Sequence, residues 1–321
     1  MNRRAALGLA AALPLSLALT ACATDAGGGD DDGRLQVLAS FYPLQYVAEQ
    51  VGGDLVSVDN LTPPAAEPHD LELAPAQVRE VGDADLVVYQ SGFQPAVDEA
   101  VEARSPEHLV DAADVVELEE SPGTVEHLDD ADEHADEEGE DGHDHGTLDP
   151  HFWLDPTRLE PVADAVADEL SAADPDNAET YAANAAALTS TLDDLDATYA
   201  KALEPCAGET LVTSHAAFGY LAERYGLTQV GISSIDPEAE PSPARLREIG
   251  EVVEENDVQT IFTETLTSPK VAETLADDLG VRTAVLDPLE GLSTEAEESG
   301  ADYVAVMTDN LTALTEGLGC A

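Results

Sequence analysis

The chain has 321 residues, with 68 Asp and Glu against 12 Lys and Arg and a formal net charge of -56 at neutral pH. A surface this negative repels phosphate backbones and anionic lipid headgroups, so the charge argues against nucleic acid as a partner and favours cations. Hydrophobic residues make up 43% of the chain, which is enough for a folded core, and the length predicts roughly two domains.

The amino terminus has the pattern of a bacterial export signal. Two arginines precede an apolar stretch over residues 5–19, which is shorter than the roughly 20 residues that a membrane-spanning helix needs. The following Leu19-Thr20-Ala21-Cys22 resembles the lipobox, in which the cysteine becomes the lipid-modified first residue of the mature protein. We therefore expect a signal peptide over residues 1–21, a flexible tether over residues 22–34, and an extracytoplasmic protein anchored to the outer face of the cell membrane by lipidated Cys22. The alternative is ordinary secretory cleavage, which leaves that cysteine without a role.

From residue 35 onward, short apolar runs alternate with helical patterns, which is typical of βαβ units and mainly parallel sheets. In the first half the pattern predicts strands over residues 35–39, 55–60 and 85–89 and helices over residues 44–51, 75–82 and 95–103. In the second half it predicts strands over residues 210–213, 228–232, 258–263 and 283–286 and helices over residues 216–225, 243–255, 269–279 and 303–318. We therefore predict an α/β fold with two lobes, over residues 35–173 and 205–321.

Residues 174–204 are predicted to form one long helix between the lobes. Asp174 and Pro175 are a good helix start, and neither glycine nor proline interrupts residues 176–203. Five apolar positions share one helical face, namely Tyr181, Leu188, Leu192, Leu195 and Tyr199. We interpret this segment as a rigid connection between two lobes, and the alternative is a long core helix inside one domain.

An acidic, histidine-rich segment interrupts the first lobe. Between residues 126 and 145, 11 of 20 residues are acidic and four are histidines, namely His127, His134, His143 and His145. So few apolar side chains cannot offset the entropy of ordering, so we predict a disordered loop over residues 120–147. Its histidines predict weak, auxiliary capture of metals such as Zn²⁺, and the alternative is a solvated acidic spacer.

The two remaining cysteines are Cys206 and Cys320. Export implies oxidising conditions and the chain has no C-x-x-C spacing, so we expect a disulfide between them rather than a metal-binding pair. The alternative is two buried thiols.

Three histidines outside the acidic segment lie where a strand or loop gives way to other structure. They occur in Glu67-Pro68-His69-Asp70, in Asp149-Pro150-His151-Phe152-Trp153 and in Thr213-Ser214-His215. Ligands of open α/β sheets collect at the carboxyl ends of strands, and Glu264 and Asp287 also follow predicted strands. Three imidazoles and one carboxylate suit Zn²⁺, whereas a carboxylate-rich site would suit Mn²⁺ or Mg²⁺.

These motifs, in this order, resemble the zinc-binding solute-binding lipoproteins of bacterial metal ABC importers. The resemblance runs from about residue 35 to residue 320 and also includes Ser214-His215-Ala216-Ala217-Phe218, Phe262-Thr263-Glu264-Thr265 and Leu286-Asp287-Pro288-Leu289. It implies two α/β lobes joined by a long rigid α-helix, with the metal site in the cleft between the lobes. It also implies a protein that captures Zn²⁺ with high affinity and delivers it to an ABC permease and its ATPase. We expect this protein to be a monomer.

The resemblance also implies a ligand set. The family's three histidine ligands fall on His69, His151 and His215 and its carboxylate ligand falls on Asp287, with Glu264 and Glu67 expected next to the ligands or as alternative ligands. Manganese-binding relatives have Ser-Glu-Gly-Ala-Phe where this chain has a histidine in the second position, which favours zinc over a manganese-specific member of the same family.

Other functions stay open at this point. A zinc-dependent hydrolase would use Glu264 or Glu67 as general base, but neither an H-E-x-x-H nor a G-x-S-x-G motif is present, so we expect no enzyme and no catalytic residues. A surface adhesin with incidental metal is a further class. His108 has no strand-end context and is interpreted as a surface residue. The global acidity is typical of saline-adapted proteins, which is a hypothesis about habitat.

Overall fold

The computed structural model describes residues 33–120 and 148–320. The first lobe contains β1 (Leu35–Ala39), α1 (Tyr42–Gly52), β2 (Val56–Asn60), α2 (Pro75–Asp83), β3 (Leu86–Tyr89), α3 (Pro95–Arg104), β4 (Leu109–Asp111) and α4 (Ala112–Val115). Its strands are all parallel and follow the order β2-β1-β3-β4. All four residues of β3 are buried, as expected for a central strand of a parallel sheet covered on both faces.

Two long helices follow the first sheet in sequence and precede the second. They are α5 (Glu160–Ala173) and α6 (Ala178–Leu203), and a 3₁₀ turn over Pro175–Asn177 separates them. The predicted apolar face of α6 is buried, from Tyr181 to Tyr199. With 26 residues, α6 is about 39 Å long, and it packs against α1 and α5. The predicted long helix is therefore present.

The second lobe repeats the topology of the first. It contains β5 (Thr210–Thr213), α7 (Gly219–Tyr225), β6 (Thr228–Gly231), α8 (Pro243–Glu255), β7 (Thr260–Thr263), α9 (Lys270–Leu279), β8 (Arg282–Val285), α10 (Thr294–Ser299) and α11 (Tyr303–Leu318). Its strands are parallel in the order β6-β5-β7-β8. In both sheets the strand order reverses beside the first strand, and such a switch point is where α/β sheets bind ligands.

One hydrophobic core runs through both lobes. It joins residues from the two sheets with buried faces of α1, α5, α6 and α11, and two smaller clusters pack elsewhere against the sheets. The Tyr199 hydroxyl of α6 donates to the Met307 carbonyl of α11 at 2.5 Å. Cys206 and Cys320 form a disulfide with their Cα atoms 5.4 Å apart, which ties the end of α11 to the start of the second lobe. A shared hydrophobic core therefore joins the two lobes and the helices between them.

Several elements differ from the predicted ones. Helices α4, α5 and α10 and the three-residue strand β4 were not among the predicted elements. The helix predicted to begin at residue 216 begins at Gly219, because the preceding residues form the turn that carries His215. Within the part of the chain that the structure describes, every helix is too short or too polar to cross a membrane.

Other predictions concern residues outside the described ranges. These are the signal peptide, most of the tether, Cys22 and the acidic segment with His127, His134, His143 and His145.

Candidate metal centre

Three histidines and one glutamate come together beyond the carboxyl ends of strands from both sheets. One nitrogen from each of His69, His151 and His215 and one carboxylate oxygen of Glu290 all lie within 4.8 Å of one another. We call these four residues the histidine–glutamate cluster. His151, His215 and Glu290 are buried, whereas His69 is partly exposed.

His69 lies in the irregular connection between β2 and α2. Its backbone N–H donates to the Glu67 carboxylate, with 3.0 Å between the nitrogen and Oε1. Its ring packs edge-on against Phe93, with the ring centroids 4.8 Å apart. These contacts leave Nε2 of His69 3.5 Å from Oε1 of Glu290, and no described residue hydrogen-bonds to this nitrogen.

His151 and His215 are each held by a buried carboxylate. Nδ1 of His151 lies 2.7 Å from Oδ1 of Asp149, and the backbone N–H of His151 donates to the same oxygen at 3.0 Å. Nδ1 of His215 lies 2.7 Å from Oε2 of Glu264, and its backbone N–H donates to Oε1 at 2.9 Å. A carboxylate at Nδ1 accepts the ring proton of a neutral imidazole, so the lone pair stays on Nε2, which faces the cluster.

The three Nε2 atoms surround a single oxygen of Glu290. Oε1 lies 3.1 Å from Nε2 of His151, 3.2 Å from Nε2 of His215 and 3.5 Å from Nε2 of His69. Three imidazole nitrogens and one carboxylate oxygen form a donor set that fits tetrahedral Zn²⁺. The cluster therefore has the composition of a zinc site.

The carboxylate that the structure groups with the three histidines is Glu290, whereas the sequence predicted Asp287. Oδ1 of Asp287 accepts the backbone N–H of Leu289 at 2.8 Å, and Oδ2 accepts the Thr265 hydroxyl at 2.9 Å. The two oxygens of Asp287 thus stabilise the turn after β8. Leu289 takes a left-handed conformation in this turn, with a φ of 58°, and Glu290 follows it into the cluster. A positive φ is uncommon for a residue other than glycine, so this turn is hard to predict from the sequence.

Electrostatics in the buried cluster favour positive charge. Although burial lowers the pKa of His215, the neighbouring Glu264 and Glu290 carboxylates raise it to about 10. The pKa of His151 is raised in the same way by Asp149 and Glu290, against the effect of burial. Burial alone would raise the pKa of Glu290, but hydrogen bonds with His151 and His215 hold it well below its usual value. The cluster therefore retains protons when no metal is bound.

The other candidate residues lie beside the cluster or apart from it. The Glu67 carboxylate accepts the backbone N–H groups of His69 and Asp70, and its Oε1 lies 3.9 Å from Nε2 of His69. His108 is not a member of the cluster, and its Nδ1 lies 2.9 Å from Oε2 of Glu169.

A family model described as "ZnuA: Zinc-uptake complex component A periplasmic" matches residues 37–317. This chain belongs to that family. Family membership agrees with the two-lobed fold and with the resemblance that the sequence motifs carry.

Similar proteins support the same assignment. The zinc-binding lipoprotein AdcA of Streptococcus pneumoniae (strain ATCC BAA-255 / R6) is 39% identical over 289 residues, which are 89% of this chain and 56% of AdcA. The high-affinity zinc uptake system protein ZnuA of Bacillus subtilis (strain 168) is 36% identical over 308 residues, which are 94% of each chain. The crystal structure of Zn(II)-bound AdcA from Streptococcus pneumoniae matches with a TM-score of 0.72 and 36% identity, over 89% of this chain and 58% of that chain. This chain therefore spans little more than half of AdcA.

Proposed function

We propose that this protein binds Zn²⁺ through His69, His151, His215 and Glu290 and supplies it to a zinc uptake system. The observation that carries the proposal is the convergence of three Nε2 atoms on Oε1 of Glu290, at 3.1 to 3.5 Å. A divalent ion bound between these atoms would displace protons from the histidines. It would be coordinated by the three Nε2 atoms and the carboxylate oxygen. Both similar proteins described above carry zinc in their names, which supports the choice of cargo.

The donor set favours Zn²⁺ over Mn²⁺. Imidazole nitrogen suits Zn²⁺, whereas Mn²⁺ prefers oxygen ligands and more of them. The cluster supplies three nitrogens and one carboxylate, and the neighbouring carboxylates of Asp149 and Glu264 are already engaged by histidine Nδ1 atoms. In a manganese-specific site, Asp149 and Glu264 would have to give up their hydrogen bonds to the histidines and coordinate the metal instead.

We propose binding rather than catalysis. A zinc hydrolase needs an open coordination position and a general base. Of the two candidates for a base, Glu264 is hydrogen-bonded to the ring and backbone of His215, and Glu67 is hydrogen-bonded to the backbone of His69. Both carboxylates therefore have structural partners, which supports a binding role.

The delivery step completes the proposal. We propose that lipidated Cys22 anchors the monomeric protein outside the cell membrane after removal of residues 1–21, and that the protein hands Zn²⁺ to an ABC permease and its ATPase. The family description names a periplasmic component of a zinc-uptake complex, which supports this location. Cys22→Ala should release the protein from the membrane fraction, and unchanged membrane association would contradict the anchor.

Zinc titration against a competing chelator tests the binding site. We expect one tight equivalent of Zn²⁺ for the unsubstituted protein and for His108→Ala, since His108 pairs with Glu169 outside the cluster. His215→Ala should lose the tight equivalent, and excess Mn²⁺ should not displace Zn²⁺ from the unsubstituted protein. Equal affinity of the two alanine variants would contradict the proposed site.

The acidic segment is proposed to raise local metal capture through His127, His134, His143 and His145. Its described flanks are close together, because Asp149 donates its backbone N–H to the Glu119 carbonyl at 2.8 Å and Glu120 pairs with Leu148. A short glycine linker between Glu120 and Leu148 can therefore replace residues 121–147. This deletion should remove weak zinc equivalents and keep the tight one, and loss of the tight equivalent would make the segment a primary source of ligands.

A further inference from the structure

We infer that Asn310 is a positioning residue for the metal site, through which helix α11 holds the turn that carries Glu290. The inference rests on the proposed function, because it concerns how the proposed zinc ligands are kept in place. Among the described residues, Asn310 makes its side-chain hydrogen bonds to Asp287 and none to the four proposed ligands.

Asn310 binds both backbone groups of Asp287. Its Oδ1 accepts the Asp287 N–H at 2.8 Å, and its Nδ2 donates to the Asp287 carbonyl at 2.7 Å. Strand β8 ends at Val285, so the chain has left the sheet here, and the amide of Asn310 takes the place of a neighbouring strand. Asn310 is only 3% exposed, so water cannot readily replace it. The turn that ends at Glu290 therefore begins at a residue fixed by Asn310.

A second contact fixes the same turn to the segment that carries His151. Nε1 of Trp153 donates to the carbonyl of Pro288 at 2.8 Å, and Trp153 lies two residues after His151. The Trp153 carbonyl accepts the Tyr303 hydroxyl at 2.6 Å. The two ligand-bearing segments are thus linked directly and also through α11.

Helix α11 connects these contacts. Tyr303 and Asn310 are seven residues apart, which places them about two turns apart on the same face of the helix. One of them holds the segment of His151, and the other holds the turn of Glu290. The carboxyl end of the helix is anchored in turn by the disulfide at Cys320. Helix α11 therefore fixes the distance between the segment that carries His151 and the turn that carries Glu290.

These contacts hold the proposed ligands in position before the metal binds. Partners that orient metal ligands contribute to affinity, and their loss typically weakens metal binding by about 10- to 100-fold. Without the two hydrogen bonds of Asn310, Glu290 would sample positions away from the histidine nitrogens. Water would then enter the coordination sphere of the bound metal.

The test compares Asn310→Ala with Tyr199→Phe in the otherwise unchanged protein. Tyr199→Phe is the matched control, because it also removes a buried hydrogen bond to α11 but one that does not lead to the ligand-bearing turn. Each variant is measured for Zn²⁺ affinity by chelator competition and for the visible absorption of bound Co²⁺, which is intense in tetrahedral sites and weak at higher coordination.

We expect Asn310→Ala to bind Zn²⁺ about 10- to 100-fold more weakly and to show weaker Co²⁺ absorption, with Tyr199→Phe unchanged in both. Unchanged affinity and absorption in Asn310→Ala, or equal losses in both variants, would overturn the inference. If Asn310→Ala does not fold, Trp153→Phe takes the same test, since it removes the other hydrogen bond to the turn, and unchanged values there would overturn it. Absence of zinc binding by the unsubstituted protein would instead overturn the proposed function and the inference with it.

Discussion

Nδ1 of His215 lies 2.7 Å from Oε2 of Glu264, and both side chains are buried. The pair forms because His215 follows β5 and Glu264 follows β7, and these strands are parallel neighbours whose carboxyl ends meet at one edge of the sheet. The carboxylate holds both the ring and the backbone of the histidine. It therefore fixes the direction in which Nε2 points.

Replacing Glu264 should weaken zinc binding although Glu264 is not a proposed ligand. We expect Glu264→Ala to lower Zn²⁺ affinity about 10- to 100-fold, because the His215 ring loses the partner that orients it. Glu169→Ala is the matched control, since Glu169 also pairs with a histidine, His108, but outside the cluster. Chelator competition measures both variants, and equal affinities would contradict the role of Glu264.

The stability of the metal-free protein should depend on the protonation of His215. Its pKa is raised from the ordinary 6.5 to about 10, so its charged form contributes stability that is fully present below pH 6.5 and is lost as the pH rises through about 10. Zinc replaces the proton, so the zinc-bound protein should lack this loss.

Thermal melts from neutral pH to above about pH 10 check this prediction. The melting temperature of the metal-free protein should fall over that range by more than that of His215→Gln. Parallel pH profiles for the two metal-free proteins would show that His215 does not carry the effect.

The alternation of strands and helices and the long helix could be predicted because burial leaves a periodic pattern in the sequence. The face of α6 is an example, and the buried positions Val162, Val166 and Leu170 of α5 have the same helical spacing, so that helix could also have been found. Strand β4 has three residues and only one of them is buried, which is too short a pattern to identify.

The three histidines of the histidine–glutamate cluster could be predicted, but Glu290 could not. His69 and His215 follow predicted strands, and histidine is much less common in this chain than Asp and Glu. Glu290 is one of 68 acidic residues, and it reaches the cluster through the left-handed turn at Leu289 and the hydrogen bonds of Asp287. Those features depend on tertiary contacts from α11 and Trp153, which a local pattern does not contain.

The disulfide should stabilise the fold substantially. Cys206 and Cys320 are 114 residues apart in sequence, so the bridge restricts a long loop in the unfolded chain. Replacing both cysteines with alanine should lower the free energy of unfolding by about 2–5 kcal/mol. Denaturant unfolding of the metal-free proteins measures the difference, and a free energy equal to that of the unsubstituted protein would contradict it.

The acidic surface should make stability depend on salt. Without the 11 acidic residues between positions 126 and 145, 57 of the 68 acids remain against 12 basic residues, so the excess belongs to the whole chain. Salt screens the repulsion among these charges. The melting temperature should therefore rise from dilute buffer to molar KCl, and greater stability in dilute buffer would contradict a saline adaptation.

The most direct test of the proposed site is to determine whether Glu290 or Asp287 binds the metal. Oε1 of Glu290 faces all three histidine Nε2 atoms, whereas the Asp287 oxygens bind Leu289 and Thr265. Burial, together with the nearby Glu290 and Glu264 charges, raises the pKa of Asp287 to about 6. In Asp287→Asn the amide oxygen can still accept the Leu289 N–H and the amide nitrogen can donate to the Thr265 hydroxyl, so the turn should be kept.

The decisive measurement is the Zn²⁺ affinity of Glu290→Gln and Asp287→Asn, determined by chelator competition under identical conditions. These substitutions are matched, because each replaces a carboxylate by the amide of the same shape. We predict that Glu290→Gln loses affinity by about tenfold or more, while Asp287→Asn nearly retains the affinity of the unsubstituted protein. Loss of affinity in Asp287→Asn with full affinity in Glu290→Gln would contradict the assignment of Glu290 as the fourth ligand.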